Sequence, residues 1–338
     1  MSSSKQHLLA SAAVVALGLF ATANFAPARA EDSIKIMVGG LEKHIYLPFK
    51  LTEQLGFFKA EGLNVELLNE PSGVDAENEM LSGNVAGVGG FYDHCVDLQA
   101  KGKIVESVVQ INQVPGEVEI VSSKHPEIKG MADMKGKSAG VTGLGSSTNF
   151  LTQYLAVKSG LALGDITSVP VGAGDTFIKA MQTDNIQAGM TTEPTISRLL
   201  KSGDGKVLID MRTMDGTKAA LGGVYPATSL YMQTSWVDAH KDTVQKLANA
   251  IVKTLRWIKA HSSAEIADAM PKEYLVGDRD GYIKALDGGR GMYSADGLMP
   301  DTGPETVLAV LGGFSKNVKG KTIDLSKTFT TEFVKNVK

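Results

Sequence analysis

The sequence predicts an α/β fold whose sheets are mostly parallel. Short apolar segments with the two-residue alternation of strands recur along the chain, and segments with helical spacing separate them. Glycine makes up 37 of the 338 residues and often follows a helical segment, which suits a chain with many tight turns. Repeated strand–helix alternation of this kind is typical of parallel sheets covered by helices.

The alternation is clearest in the first 190 residues. The segment SIKIMV alternates as a strand does, Pro48 suits the first turn of a helix, and Gly62 and Gly160 end helical segments. Strands are predicted over 33–38, 63–68, 85–89, 104–111, 118–121, 137–142, 166–171 and 186–190. Helices are predicted over 47–58, 75–82, 91–101, 148–159 and 176–183.

The last third of the chain carries one strand, 230–233, and then the strongest amphipathic helix. Its apolar residues recur at three- and four-residue spacing: Val244, Leu247, Ala248, Ile251, Leu255 and Ile258. The length of the chain suggests about two domains. Because no low-complexity linker is present, two domains have to be joined by ordered strands.

Residues 1–30 are predicted to be a signal peptide. Lys5 precedes an uncharged apolar segment over 8–20, and Ala28-Arg29-Ala30 is a small-residue cleavage pattern. That segment is too short to span a bilayer, which needs about 20 residues. We therefore expect cleavage near Ala30 and a periplasmic mature protein, in which Cys95 persists because it is buried.

The composition excludes several functions. A net charge of −3 gives no basic excess for nucleic acid, and a single Cys cannot form an internal disulfide or a Cys-based metal cluster. The sequence contains no phosphate-binding G-x-x-x-x-G-K-[ST] and no H-E-x-x-H motif. We therefore predict no catalytic residue, no metal site and no cofactor.

Five turns fall where predicted strands end, the edge at which open α/β sheets bind ligands. They are 39–46, 89–93, 143–149, 191–195 and 222–229. The third turn places the hydroxyls of Ser146, Ser147 and Thr148 at a helix start, where free N–H groups favour an anion. The alternative is that these hydroxyls only cap the helix.

Further polar and aromatic residues lie in these turns. His44 could donate to an anion or could simply lie at the surface, whereas Asp93 and Glu193 would repel an anion if they faced it. Aromatic residues gather in the same turns and predict a partly aromatic pocket with polar tips. They are Tyr46, Phe91, Tyr92 and Tyr225.

Several segments together resemble a known family. They are LGFFKAEGLNVEL at 55–67, SGNVAGVGG at 82–90, MADMKGKSAGV at 131–141, TEP at 192–194 and the long helix after Trp236. In this order they resemble the solute-binding proteins of ABC importers in the sulfonate/nitrate/taurine and thiamine-precursor group. The similarity extends over essentially the whole mature chain.

The resemblance implies a type II periplasmic-binding fold, in which two α/β lobes are joined by two crossover strands with a ligand cleft between them. The first lobe would comprise residues 31–120 plus 231–338, and the second residues 121–230. The resemblance also implies that residues of such turns bind the solute: Ser146, Ser147 and Thr148 foremost and, after them, His44, Tyr92, Asp93 and Glu193.

The implied function is binding without catalysis. The protein would be a periplasmic monomer. It would capture a small organic anion or zwitterion (a sulfonate, a taurine-like molecule or an aromatic carboxylate) by hinge closure. It would deliver the solute to a membrane permease with its ATPase. Two alternatives stay open: a pyridoxal-phosphate-dependent enzyme similar to thiamine-pyrimidine synthases, and a periplasmic sensor component. If Asp93 and Glu193 face the cleft, the solute must also carry a positive or hydrogen-donating group.

Overall fold

Two five-stranded sheets with flanking helices are present in a computed structural model that describes residues 32–275 and 277–338. The first sheet contains β1 (Asp32–Val38), β2 (Leu63–Asn69), β3 (Gly87–Phe91), β4 (Val105–Gln110) and β10 (Thr228–Gln233). The second contains β5 (Glu117–Ser122), β6 (Ser138–Val141), β7 (Thr167–Pro170), β8 (Ala188–Thr192) and β9 (Gly205–Asp210). We call the two sheets with their helices the first and second lobes.

Each sheet contains one strand that runs against the others. The strand orders are β2-β1-β3-β10-β4 and β7-β6-β8-β5-β9, and β10 and β5 are antiparallel to both of their neighbours. In each case the chain arrives from the other lobe. The strand therefore begins at the edge of the sheet where its neighbouring strands end, and it runs in the opposite direction. Glu117 accordingly pairs with Thr192, the last residue of β8. The expectation of mostly parallel sheets is thus corrected to two mixed sheets.

Helices follow most strands. The predicted helix over 47–58 is divided, because Gly56 adopts a left-handed φ of 71° that ends one helix and begins another. The helices are α1 (Leu47–Gln54), α2 (Phe57–Ala60), α3 (Gly73–Leu81), α4 (Asp93–Ala100), α5 (Ser147–Lys158), α6 (Asp175–Gln182), α7 (Thr195–Ser202), α8 (Met214–Leu221), α9 (Thr234–Ala239), α10 (Lys241–Ala260), α11 (Ser263–Ala269), α12 (Arg279–Gly289), α13 (Gly303–Phe314) and α14 (Glu332–Lys335).

The cores of the lobes follow the predicted periodicity. Helix α10 buries its predicted apolar face, including Val244, Leu247 and Ile251, against strands of the first sheet. Strand β9 was not predicted, because it is an edge strand whose pattern is weak and whose Val207 is 40% exposed. Cys95 is fully buried in α4, which confirms the expectation for the single thiol.

The chain passes between the sheets in two neighbouring segments, 111–116 and 222–227. Backbone hydrogen bonds join the segments: the N–H of Ala227 donates to Asn112 O at 2.9 Å, and the N–H of Ile111 donates to Thr228 O at 2.8 Å. The boundaries expected at residues 120 and 230 fall inside β5 and β10, so the exact residue ranges of the lobes stay a prediction.

Near its end the chain returns to the free edge of the first sheet. The N–H of Ser107 in β4 donates to Thr328 O at 3.0 Å, and the N–H of Thr330 donates to Ser107 O at 2.9 Å. A short parallel bridge therefore lies along β4. Helix α13, just before this segment, packs against both α4 and α5 and so contacts both lobes.

The predicted signal peptide lies outside the described residues. Within residues 32–275 and 277–338, none of the helices combines the length and the apolar character that a membrane span requires.

Candidate ligand-binding site

A small cavity lies between the lobes, at the edge where the strands end. Its volume is about 10 Å³, which is about the space of one water molecule. The first lobe contributes Gly39, Lys43, Ile45, Tyr46 and Gly73. The second contributes Glu117, Thr142, Ser146, Ser147, Thr148 and Thr192. The first, third and fourth predicted turns therefore do converge on one cavity.

Lys43 supplies the positive charge of this cavity. Its side chain is buried, and its Nζ donates to Gly39 O at 2.6 Å and to Pro71 O at 2.8 Å. Burial lowers the pKa of Lys43, and the nearby carboxylates of Glu42 and Glu117 oppose that effect. An ammonium carries three N–H donors, so one remains after the two carbonyls are satisfied.

Glu117 supplies a carboxyl group on the opposite side. It is the first residue of β5 and is 2% exposed, and its Oε2 has no hydrogen-bond partner among the described residues. Burial, followed by the neighbouring charge of Asp93, raises the pKa of Glu117 well above its usual value, against the effect of Lys43. A buried polar atom without a partner is costly, on the order of 1–3 kcal/mol.

The three predicted hydroxyls line the cavity, and each has a protein partner. Ser146 Oγ accepts the N–H of Val74 at 3.2 Å, and Ser147 Oγ donates to Asp93 Oδ1 at 2.8 Å. Both bonds cross from the second lobe to the first. Thr148 Oγ1 instead accepts the N–H of Thr142 within the second lobe at 3.0 Å. Two of the three hydroxyls therefore bond the two lobes to each other.

Asp93 is the centre of a buried network behind the cavity. It is fully buried, and its Oδ2 accepts a hydrogen bond from Tyr225 at 2.8 Å while its Oδ1 accepts the bond from Ser147. Burial raises the pKa of Asp93, and these two donors oppose the increase. Asp93 and Tyr225 thus support the cavity wall without lining it.

His44 and Glu193 line a second cavity of about 10 Å³, next to the first. Glu193 Oε1 accepts from Arg212 at 2.9 Å, and Glu193 O accepts the N–H of His44 at 3.1 Å, which is another bond between the lobes. The His44 ring packs edge-on against Tyr282, and neither ring nitrogen has a partner among the described residues. Burial lowers the pKa of His44 to about 3, so its ring is neutral.

The aromatic residues separate into two groups. Tyr46 lines the first cavity and packs edge-on against Phe91, which is itself part of the first lobe's core. Tyr92 points toward the carboxyl-terminal segment, where its hydroxyl bonds with Thr328 and its ring meets Phe329. Among the described residues, a cavity wall made of several aromatic rings is therefore not observed.

Sequence reasoning missed Lys43 and Glu117. Lys43 lies inside the first predicted turn, but the polar residue predicted to bind the solute from that turn was its neighbour His44. Glu117 and Glu119 alternate with Val118 and Ile120 in β5, and all four are buried. Two acidic residues on one face of a strand with an apolar opposite face were the signal that could have identified this site.

Glu119 provides a pH prediction separate from the cavity. It is buried, its Oε2 accepts from Thr152 at 3.0 Å, and burial raises its pKa from 4.5 to about 8. The folded protein keeps this proton where the unfolded chain loses it. The contribution of Glu119 to stability is therefore complete below pH 4.5 and is lost as the pH rises to about 8.

We expect the wild type to lose stability relative to Glu119→Gln by about 1.4 kcal/mol per pH unit across that window. The measurement is urea unfolding of both proteins at a series of pH values. Because all other titrating groups are shared, they cancel in the difference. Parallel stability curves for the two proteins would show that Glu119 is already ionised in the fold.

This chain has two α/β lobes with a polar cavity between them, at the ends of their strands. That architecture is the fold of the class of periplasmic solute-binding proteins. The NMT1/THI5-like family profile matches residues 45–264, well over half of the chain. The chain belongs to the NMT1/THI5-like family. This confirms the fold and the family resemblance deduced from the sequence.

Solved structures share this fold. A protein of Bordetella bronchiseptica RB50 is 36% identical, with a TM-score of 0.87 over 91% of this chain and 96% of that one. The ligand-binding component of an ABC-type import system from Staphylococcus aureus, with zinc bound, is 14% identical, with a TM-score of 0.69 over 91% and 99%. The alkanesulfonate-binding protein SsuA from Xanthomonas axonopodis pv. citri, bound to MOPS, is 16% identical, with a TM-score of 0.70 over 90% and 100%.

The last two structures share the fold alone at these identities. In the part of this chain that the structure describes, no three His, Cys, Asp or Glu residues form a group that could hold a metal ion.

Proposed function

We propose that this protein is the solute-binding component of an ABC-type importer and captures a small organic anion or zwitterion between its lobes. The observation that carries the proposal is the polar cavity lined by residues of both lobes. Its charged and hydroxyl groups suit a charged solute of few atoms. Similarity to an ABC-type import component and to an alkanesulfonate-binding protein supports the same function.

Capture requires the lobes to move apart, because the closed cavity has room for only about one water molecule. The adjacent segments 111–116 and 222–227 provide the hinge in this proposal, since they connect the lobes and hydrogen-bond to each other. The bonds from Ser146, Ser147 and His44 across the cleft would form on closure. A solute stabilises the closed state by its higher affinity for that state.

The predicted export signal supports a periplasmic location for this function. The closed form would deliver the solute to a membrane permease with its ATPase, and the protein would act as a monomer. Deletion of the gene is expected to abolish uptake of the labelled solute. Normal uptake in the deletion strain, together with lost induction of solute-responsive genes, would favour the sensor alternative.

The proposal is tested by a thermal-shift screen of the exported protein after its bound solute has been removed by unfolding and refolding. The panel contains taurine, alkanesulfonates, nitrate, aromatic carboxylates, aminopyrimidines and amino acids. At a hundred times its Kd a ligand adds about 2.7 kcal/mol, enough to raise the unfolding midpoint by several degrees. A folded protein that no compound stabilises, and that carries no solute when first purified, contradicts the proposal.

The hydroxyls of Ser146 and Ser147 are expected to matter for affinity. The double variant Ser146→Ala/Ser147→Ala loses two bonds between the lobes, each contributing about 1 kcal/mol. We expect titration calorimetry to show a Kd about 30-fold higher than that of the wild type. The control is Ser202→Ala, at the end of α7 and away from the cavity. Equal affinity of the double variant and this control would exclude the hydroxyls from recognition.

A further inference from the structure

We infer that the solute is amphoteric: it carries an N–H donor group bound by Glu117 and an acidic group bound by Lys43 and the hydroxyls of the second lobe. This inference rests on the proposed function and names the class of solute. It decides among the sulfonates, zwitterions and aromatic acids that the sequence left open.

The first argument is the unpaired carboxyl oxygen. Glu117 Oε2 belongs to a side chain that is 98% buried in a cavity-lining position, and it has no hydrogen-bond partner among the described residues. Burial raises the pKa of Glu117 and favours its neutral form, whereas a solute ammonium beside it favours the carboxylate, which can only accept hydrogen bonds. The cavity therefore presents an acceptor that requires a donor, and a solute N–H group supplies one.

The second argument is the position of the positive charge. Two of the three N–H donors of Lys43 are taken by Gly39 O and Pro71 O, which fixes the ammonium in the cavity wall. The remaining donor is available to an acidic group. Ser146, Ser147 and Thr148 begin α5 beside it. Because the Ser147 hydroxyl already donates to Asp93, the further donors for the same group are the Ser146 hydroxyl, which accepts from Val74, and the N–H groups at the start of that 12-residue helix.

The third argument is charge balance within the site. Asp93 and Glu193 already have hydrogen-bonding partners, so neither needs the solute. A solute with only an acidic group brings no N–H donor to Glu117 Oε2. A solute with only a cationic group brings no acceptor to the remaining N–H donor of Lys43. An amphoteric solute satisfies both side chains at once.

The inference is tested with matched probes on the exported protein, freed of bound solute. The pairs are taurine with ethanesulfonate, and β-alanine with propanoate. Each pair differs in the amino group alone. Titration calorimetry on the wild type is expected to show binding of an amino compound about 100-fold tighter than of its partner.

Variants assign the effect to one side chain. Glu117→Gln keeps the size of the side chain and removes its charge, and it is expected to weaken the amino compound about 100-fold while leaving its partner nearly unchanged. Glu119→Gln is the matched control, because Glu119 lies two residues along the same strand, is equally buried and does not line the cavity. It is expected to bind as the wild type does. Circular dichroism of each variant checks that it is folded.

If ethanesulfonate or propanoate binds as tightly as its amino partner, or if Glu117→Gln binds like Glu119→Gln, the inference is wrong and the proposed function stands.

If no probe binds, native mass spectrometry of the freshly exported protein identifies the solute it carries. A carried solute without an N–H group overturns the inference. One with N–H and acidic groups, whose affinity falls in Glu117→Gln alone, supports it. The absence of any carried solute overturns the proposed function itself.

Discussion

Replacing Gly189 with alanine is expected to destabilise the protein by about 4 kcal/mol or more, or to prevent its folding. An added Cβ would lie 2.5 Å from Gly140 O and 2.8 Å from Gly140 N, which are backbone atoms of the neighbouring strand β6. It would also lie 2.8 Å from the ring of Phe177. Because backbone atoms cannot rotate away, the sheet itself must shift, and β8 is the strand that leads to Thr192 in the cavity wall.

The measurement is urea unfolding, with Gly312→Ala as the matched control. An added Cβ at Gly312, in α13, meets no atom within 4 Å. Alanine there should stabilise the protein by about 0.5–1 kcal/mol, because alanine has the better helix propensity. If the Gly189 variant unfolds at the wild-type urea concentration, the two strands do not approach each other this closely.

Replacing Asp93 with alanine is expected to cost about 3 kcal/mol of stability. The change removes the acceptor of two buried hydroxyls, those of Ser147 and Tyr225, and leaves a void beside them. It also removes one of the bonds between the lobes. We therefore expect both a lower unfolding midpoint and weaker solute binding than in the wild type.

Two further variants separate these contributions. Asp93→Asn keeps the shape and one acceptor oxygen, so it should lose no more than about half as much stability as alanine. Tyr225→Phe removes one hydrogen bond at constant ring size and should cost about 1 kcal/mol. Equal stability of Asp93→Ala and the wild type would show that the two hydroxyls find other partners.

The elements of the fold were largely predictable, because strand alternation and helical spacing are local properties. The strand expected over 63–68 is β2 at Leu63–Asn69, and the amphipathic helix is α10 at Lys241–Ala260. The reversed direction of β5 and β10 was not predictable in the same way. Strand direction depends on which lobe the chain arrives from, and no window of neighbouring residues contains that information.

The site was predictable as a region but less so as a set of side chains. The rule that ligands bind at strand ends selected turns that supply Tyr46, Ser146, Ser147 and Thr148 to the cavity. It could not show that Tyr92 points into the core, because a turn residue's direction depends on its tertiary partner, here Thr328. Glu117 was missed because the charged groups around it, those of Lys43 and Asp93, come from distant parts of the sequence.

The carboxyl-terminal segment along β4 has a consequence for solubility. Thr328 and Thr330 form hydrogen bonds with backbone groups of β4. Without them, these groups of an edge strand would be free to pair with a strand of another molecule. A protein shortened before Thr328 would retain the strands of both sheets and the cavity-lining residues, yet it would expose part of β4 as a template for intermolecular pairing. We therefore expect loss of this segment to cause aggregation at high protein concentration before it alters the affinity for the solute.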